Sequence, residues 1–210
     1  MRREYENKGG GLPEGCVLWL PFTSATDLKD RVTGNDVVID HPEFMYWDDT
    51  YQAFYFGRTN TSYTHTAHLS YPNFRNQFSD DNYSVILDIA RQSGTLVPGS
   101  TVLSPYAGEG AGAATTMKQM WGIGSVSPQP STRVRFRVCH LCDATYRTTY
   151  VDGVQTRQTG TSRQYWPPSK WLNLIDPEIT FRSEDYLSKF YLYNIMIFNR
   201  KLTIEEAMSL

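Results

Sequence analysis

The sequence predicts an all-β fold, an antiparallel sandwich of short strands, and three observations support that prediction. Aromatic residues make up 14% of the 210 residues, with 14 Tyr, 10 Phe and 5 Trp, and aromatic side chains favour strands. The chain carries 15 Gly and 11 Pro, which favour the turns that join strands. Short segments alternate apolar and polar residues, and this period of two is typical of half-buried strands. A chain of this length is expected to form one folded domain.

The first half of the chain predicts several strands separated by turn signals. CVLWLPF, which begins at Cys16, is closed by a proline and a polar cluster, as is typical of a short strand. TGND, which begins at Thr33, is a turn signal followed by β-branched residues. The aromatic stretch at 51–69 predicts two further strands. In the strand at 83–90, a period of two places four residues on one face: Tyr83, Val85, Leu87 and Ile89.

The clearest alternation in the second half is RVRFRVC, which ends at Cys139. Its apolar set predicts the core face, and its cationic set predicts a solvent-facing row of charges. The apolar set is Val134, Phe136 and Val138, and the cationic set is Arg133, Arg135 and Arg137.

Two local signals near the end of the chain are more specific. Asp152-Gly153 between β-rich runs predicts a hairpin with a two-residue turn. Thr203 and Glu206 form a capping box, which predicts a terminal helical turn after a long strand from Phe190 to Phe198. About a dozen short strands and one helical turn fit a sandwich with jelly-roll connections.

The last third of the chain resembles the laminin-G-like, concanavalin A-like jelly-roll family. The resemblance is carried by the hairpin segment at 150–154, YVDGV, and by the ending at 198–206, FNRKLTIEE, with the opening strand CVLWLPF and the TGND turn in support. The chain departs from the family where Ser188 and Lys189 stand in place of a usual glycine. The resemblance implies a jelly-roll domain at 16–210. The polar residues that lead into the glycines at 9–11 predict a flexible or docking arm at 1–15.

The lead-in GGGLPEG, which begins at Gly9, resembles the start of laminin-G-like proteins in phage structural gene clusters. That resemblance implies a phage virion component, exposed on the virion surface or outside the cell. The N-terminus shows charges without an apolar run, so we expect no secretory signal. An odd count of three cysteines favours reduced thiols and synthesis in a reducing cytoplasm.

Two aromatic clusters in predicted loops are the candidate ligand-binding residues. YWPPSKW combines stiff prolines with Tyr165, Trp166 and Trp171, and FMYW contains Trp47. Flat rings stack on the apolar faces of sugars, and rim loops commonly carry binding residues. The alternative is that these rings cap the end of the core.

A basic stretch at 131–170 holds seven basic and two acidic side chains. Its cations, with Arg133, Arg135 and Arg137 foremost, are candidates for binding an anionic glycan or an acidic partner surface. The alternative is a solvated sheet face with charges that protect an edge.

The sequence raises two metal hypotheses. The resemblance implies calcium at the sandwich rim, with Asp80 and Asp81 as candidate ligands, although such clusters also make ordinary turns. A zinc set of two histidines and two cysteines is the weaker hypothesis, because residues three apart on a strand face opposite ways. That set is His65, His68, Cys139 and Cys142.

The predicted function is a non-catalytic binding or adhesion module that recognises carbohydrate or other virion proteins. A net charge of −2 favours no nucleic-acid partner, and the apolar runs are too short to span a membrane. One alternative is a purely structural virion protein without a ligand. The other is a glycoside hydrolase-like enzyme, although no strand shows its paired carboxylates. The sequence leaves open whether the chain forms a homo-oligomer and whether calcium is bound.

Overall fold

The computed structural model describes residues 11–38, 45–56, 68–70, 82–93, 101–106, 121–122, 131–160, 171–173 and 189–210. Most of the predicted arm at 1–15 therefore lies outside the described residues. The strands within those ranges, in chain order, are β1 (Cys16–Leu20), β2 (Val37–Val38), β3 (Met45–Asp48), β4 (Ala53–Phe56), β5 (His68–Ser70), β6 (Tyr83–Ser93), β7 (Thr101–Tyr106), β8 (Trp121–Gly122), β9 (Arg135–Cys142), β10 (Tyr146–Val151), β11 (Val154–Gly160), β12 (Trp171–Asn173) and β13 (Lys189–Phe198). One helix, α1 (Ile204–Ser209), follows them.

The strands form two antiparallel sheets. The large sheet has the order β11-β10-β9-β6-β13-β4-β3, and β1 pairs with β13 beyond the end of β4. The small sheet has the order β2-β5-β12-β7-β8. The predicted all-β class with a short C-terminal helix is confirmed.

The main core lies on one face of the large sheet, which we call the inner face. Tyr83, Val85, Leu87 and Ile89 of β6 are all fully buried in one hydrophobic cluster, as their period of two predicts. Val37 of the small sheet belongs to the same cluster. The two sheets therefore share one core.

The opposite, outer face of the large sheet is also buried where α1 covers it. The second hydrophobic cluster contains Ile86 of β6 and Met196 of β13, and Leu202 and Ala207 close it from the C-terminal segment. The helix begins at the predicted capping box, because the Glu206 amide donates to Thr203 Oγ1 (3.1 Å) and the Thr203 amide donates to Glu206 Oε2 (2.7 Å).

The predicted hairpin between β10 and β11 is present. Asp152 and Gly153 both have positive φ, 47° and 83°, and Val151 pairs with Val154 across the turn. Left-handed backbone at both central residues is what an Asp-Gly two-residue turn provides.

The predicted alternation in β9 is wrong at two residues. Val134, predicted in the core, is 54% exposed, because it precedes the strand next to a turn in which Arg133 has a φ of 62°. Arg137, predicted to face solvent, is 1% exposed, because α1 and the neighbouring strands cover the part of the outer face on which it lies. The row of cations therefore reaches solvent only at Arg133 and, in part, at Arg135.

Candidate functional site

Five tyrosines lie on the outer face of the large sheet, away from the part that α1 covers. We call Tyr46, Tyr51, Tyr55, Tyr191 and Tyr193 the tyrosine patch. Strand register explains why three of them meet: Tyr46 of β3 stands opposite Tyr55 of β4, and Tyr55 stands opposite Tyr191 of β13. Directly opposed residues share a face of the sheet.

The rings of the tyrosine patch contact one another in an ordered way. Tyr51, from the turn between β3 and β4, stacks on Tyr191 with a centroid distance of 4.1 Å and an interplanar angle of 24°. The ring centroids of Tyr46 and Tyr55 are 4.9 Å apart, and those of Tyr55 and Tyr191 are 5.6 Å apart. Tyr46 is 48% exposed, whereas Tyr191 is buried beneath its neighbours. Contacts among the aromatic rings therefore hold the tyrosine patch in place.

Two small residues form the floor of the tyrosine patch. Ala53 of β4 and Ala90 of β6 are fully buried and cluster with Tyr191. Tyr51, Tyr55 and Tyr193 pack around this group. Small side chains on the strands allow the rings to lie against the sheet. Burial raises the pKa of Tyr191 to about 12 and also raises the pKa of Tyr55 and Tyr193. Their phenols are therefore neutral at physiological pH.

Charged residues border the tyrosine patch on two sides. The Arg135 guanidinium lies 4.6 Å from the ring centroid of Tyr193, a cation–π geometry. On the opposite side, Asp48 Oδ1 accepts hydrogen bonds from the amides of Thr50 (2.9 Å) and Tyr51 (3.2 Å). These bonds fix the turn that places Tyr51 over Tyr191.

A buried ion pair lies next to the patch and orients Arg135. Asp88 and Arg137 have side-chain exposures of 2% and 1%, and Arg137 Nε donates to Asp88 Oδ1 at 2.8 Å while Arg137 Nη2 donates to Oδ2 at 2.9 Å. Arg135 Nη2 and Asn194 Nδ2 also donate to Asp88 Oδ2, at 3.3 and 3.2 Å. Asp88 thus holds two guanidinium groups, one of which lies over Tyr193.

The same network extends to the N-terminal strand and the C-terminal helix. Trp19 Nε1 donates to Asn194 Oδ1 (3.1 Å), and Arg137 Nη1 donates to the carbonyl of Ala207 in α1 (2.9 Å). Desolvation raises the pKa of Asp88, but the hydrogen bonds and charge of Arg137 outweigh it, so the net shift of the pKa is downward. Asp88 is therefore ionised in the folded protein.

The structure corrects the predicted loop position of Trp47. Trp47, predicted in a loop, lies in β3 with its ring toward the inner face, where it meets Phe54 edge-on at 5.3 Å and donates from Nε1 to Asp49 Oδ1 (3.0 Å). The loop prediction is wrong there. Its sequence neighbour Tyr46 supplies the exposed ring instead.

The second aromatic cluster lies mostly outside the described residues. Trp171, also predicted in a loop, belongs to β12 and pairs with Ser70 and Tyr106 in the small sheet. Tyr165 and Trp166 lie outside the described residues. Their binding role stays a prediction.

The structure does not test the metal hypotheses, and both stay predictions. Asp80, Asp81 and His65 lie outside the described residues, and no group of three metal-ligating side chains occurs within them. Cys16, Cys139 and Cys142 form no disulfide among the described residues, and burial raises the pKa of Cys16 and Cys139 to about 12. No helix in the described ranges is long and apolar enough to cross a membrane.

One sequence signal could have found the tyrosine patch. In FYLYN, Tyr191 and Tyr193 alternate with apolar residues within a strand that is otherwise largely apolar. Polar-tipped rings at every second position indicate an outer face that is aromatic rather than charged. The contribution of Tyr46, Tyr51 and Tyr55 depends on strand order, which the alternation does not contain.

Comparison with known proteins extends these observations. No protein-family model matches the sequence, and no curated protein matches it. Solved structures do match. The binding domain of botulinum neurotoxin DC, in complex with rat synaptotagmin II, is 11% identical over 93% of this chain and 50% of its own, with a TM-score of 0.60.

Two other solved structures represent different proteins with the same fold. Trypanosoma rangeli sialidase is 16% identical over 95% of this chain and 33% of its own, with a TM-score of 0.60. Domain 4 of an extracellular arabinanase from Geobacillus stearothermophilus, in complex with arabinotriose, is 13% identical over 92% of this chain and 97% of its own, with a TM-score of 0.57. The chain spans half the length of the neurotoxin chain and a third of the sialidase chain. At these identities the likeness shows the fold, and the predicted antiparallel β-sandwich is confirmed.

Proposed function

We propose that the protein is a non-catalytic carbohydrate-binding domain that holds sugar rings on the tyrosine patch. The observation that carries this proposal is the set of mutually packed rings with Tyr46 nearly half exposed at its edge. A tyrosine presents an apolar face and a polar tip, so it can stack on the C–H face of a sugar while its hydroxyl bonds to the sugar's hydroxyls. Because the rings already support one another, binding costs little side-chain entropy.

The proteins of similar fold support the same ligand class. Botulinum neurotoxin type C is described as entering cells through two ganglioside molecules, the sialidase was solved with sialic acid, and the arabinanase domain was solved with arabinotriose. These ligands belong to those proteins. They make a carbohydrate the first class to test on this chain.

The chemistry of the patch is that of binding. The patch presents phenol rings bordered by Arg135 and Asp48, and Asp48 is engaged in holding the turn at Tyr51. Hydrolysis of a glycosidic bond uses two carboxyl groups about 5–9.5 Å apart across the sugar. We therefore place the function among binding modules.

The setting we propose is the surface of a phage virion, on the resemblance of the GGGLPEG lead-in. In that setting the domain attaches the particle to a glycan. In this proposal, calcium bound by Asp80 and Asp81 would fix the geometry of the predicted rim loop. Measuring glycan binding with and without EDTA tests this role.

The experiment compares three variants on a glycan array, followed by calorimetric titration of the best glycan. Tyr46→Ala should weaken binding by about tenfold, equivalent to about 1.4 kcal/mol. Tyr146→Ala is the matched control, because Tyr146 is 45% exposed and does not belong to the patch. It should leave binding unchanged. Trp166→Ala tests the rim-loop prediction in the same assay.

Each outcome has a defined meaning. Loss of binding in Trp166→Ala with none in Tyr46→Ala would overturn the patch as the site. Absence of binding to every glycan by the wild type would overturn the carbohydrate proposal and favour a purely structural protein.

A further inference from the structure

Three tyrosines of the patch lie in register with Ala90 and Arg135 across five strands. Tyr46 pairs with Tyr55, Tyr55 with Tyr191, Tyr191 with Ala90, and Ala90 with Arg135. Opposed residues in adjacent antiparallel strands lie side by side on one face. With neighbouring strands about 4.8 Å apart, this row of residues measures about 19 Å from Tyr46 to Arg135. It runs perpendicular to the strands and has different chemistry at its two ends.

One end of the row is aromatic and the other is cationic. Tyr46, on the edge strand β3, is 48% exposed and presents its ring there. At the other end the Arg135 side chain is 30% exposed and lies over Tyr193. Arg133 follows it at the beginning of β9 and is exposed.

Arg133 is held at the cationic end by its backbone. Its φ of 62° is left-handed, which is unusual for a residue other than glycine. Its amide donates to the carbonyl of Arg91 in β6 at 2.7 Å, which ties the turn to the strand next to β13. The positive charge of Arg133 also acts on the Tyr191 phenol and lowers its pKa, against the larger effect of burial. The guanidinium therefore lies within electrostatic reach of the patch.

We propose that the row binds an acidic oligosaccharide, with neutral sugar rings on Tyr46 and Tyr55 and a sugar carboxylate at Arg133 and Arg135. The proposal rests on the proposed carbohydrate function and adds the ligand's charge and direction. A guanidinium matches the two oxygens of a carboxylate, and a row of about 19 Å accommodates several linked sugars rather than one. The acidic group fixes which way the ligand chain lies across the strands.

The test compares acidic glycans with their neutral counterparts on the same backbone. Oligogalacturonates are paired with their methyl esters, and sialyllactose is paired with lactose, within the array of acidic and neutral glycans. The wild type should prefer the acidic member of a pair by about fivefold, and that preference should shrink as NaCl rises from 50 to 500 mM, since exposed charge contacts are screened.

Two variants separate the inference from the proposed function. Arg133→Asn removes the charge and tolerates positive φ, so it should abolish the acidic preference and leave neutral binding intact. Lys29→Gln is the charge control, because its side chain is 54% exposed and pairs with Asp36 instead. It should change neither. Tyr46→Ala should weaken acidic and neutral ligands alike.

Binding of neutral glycans without any acidic preference would overturn this inference and leave the proposed function standing. An acidic preference that survives in Arg133→Asn would also overturn it. Failure of the wild type to bind any glycan would remove both.

Discussion

Replacing Asp88 by Asn should strongly destabilise the protein, because the change keeps the shape of the side chain and removes its charge. Four donor contacts converge on the Asp88 carboxylate, from Arg137 Nε and Nη2, Arg135 Nη2 and Asn194 Nδ2. In the variant the guanidinium of Arg137, 1% exposed, keeps its charge without a counter-charge. Breaking a buried pair from one side costs about 3–5 kcal/mol.

Urea unfolding at pH 7 measures this cost. With a slope of about 2 kcal/mol per molar urea, the midpoint should fall by roughly 1.5–2.5 M. Asp36→Asn is the matched control, since the Lys29–Asp36 pair is exposed at 54% and 71% with a separation of 3.6 Å. An exposed pair is worth less than about 1 kcal/mol, so its midpoint should barely move.

The pH dependence of stability gives a second readout. The folded pKa of Asp88 lies below the ordinary value of 3.8. The stabilisation from its charge is therefore fully present above that ordinary value and is lost as pH falls through the lower folded pKa. The difference between wild type and Asp88→Asn should be constant near pH 7 and shrink below about pH 4.

A double variant tests the physical reason. Asp88→Leu with Arg137→Met removes both charges and should recover much of the loss, because apolar replacement of a buried pair is often close to neutral. Equal urea midpoints for Asp88→Asn and Asp36→Asn would refute the reasoning. So would a double variant no more stable than Asp88→Asn.

Further predictions concern the turns and the thiols. Gly15→Ala and Gly34→Ala impose similar strain, with φ of 76° and 75°, yet only at Gly15 would the new methyl group meet a neighbour, Asn199 Oδ1 at 2.8 Å. Gly34→Ala should cost about 1–2 kcal/mol and Gly15→Ala should cost more by the same urea assay; equal costs would contradict the crowding. A disulfide-exchange reagent at pH 8 should label fewer than one thiol per native chain, because Cys16 and Cys139 have raised pKa values and Cys142 is buried. In urea the same reagent should label all three thiols. Rapid native labelling would show that the strands open.

Local signals were the ones that the sequence could supply. The burial of Tyr83 and its partners in β6, the Asp152-Gly153 hairpin and the Thr203 capping box each depend on residues within a few positions of one another. Their geometry follows from side-chain period, positive φ and backbone capping. They hold wherever the segment lies in the fold.

The predictions from the sequence fail where segments that are distant in the chain determine a residue's environment. Arg137 has the alternation of a solvent-facing cation, but α1, about 70 residues later in the chain, covers it and accepts its hydrogen bond at Ala207. The sequence prediction chose Trp47 as the ligand-binding ring of its cluster, but the register with β4 turns Trp47 inward and Tyr46 outward. Neither strand order nor register can be obtained from spacing alone.

If the row from Tyr46 to Arg135 binds a glycan as proposed, that binding is also a probe of folding. The members of the row come from β3, β4, β13, β6 and β9. Neighbours in the row, such as Ala90 and Tyr191, are therefore far apart in the sequence. Such non-local pairing forms late and slowly in folding. Under the proposed function, affinity for a glycan would therefore appear only once β13 has paired with both β6 and β4, and a refolding chain would report that pairing by gaining its ligand.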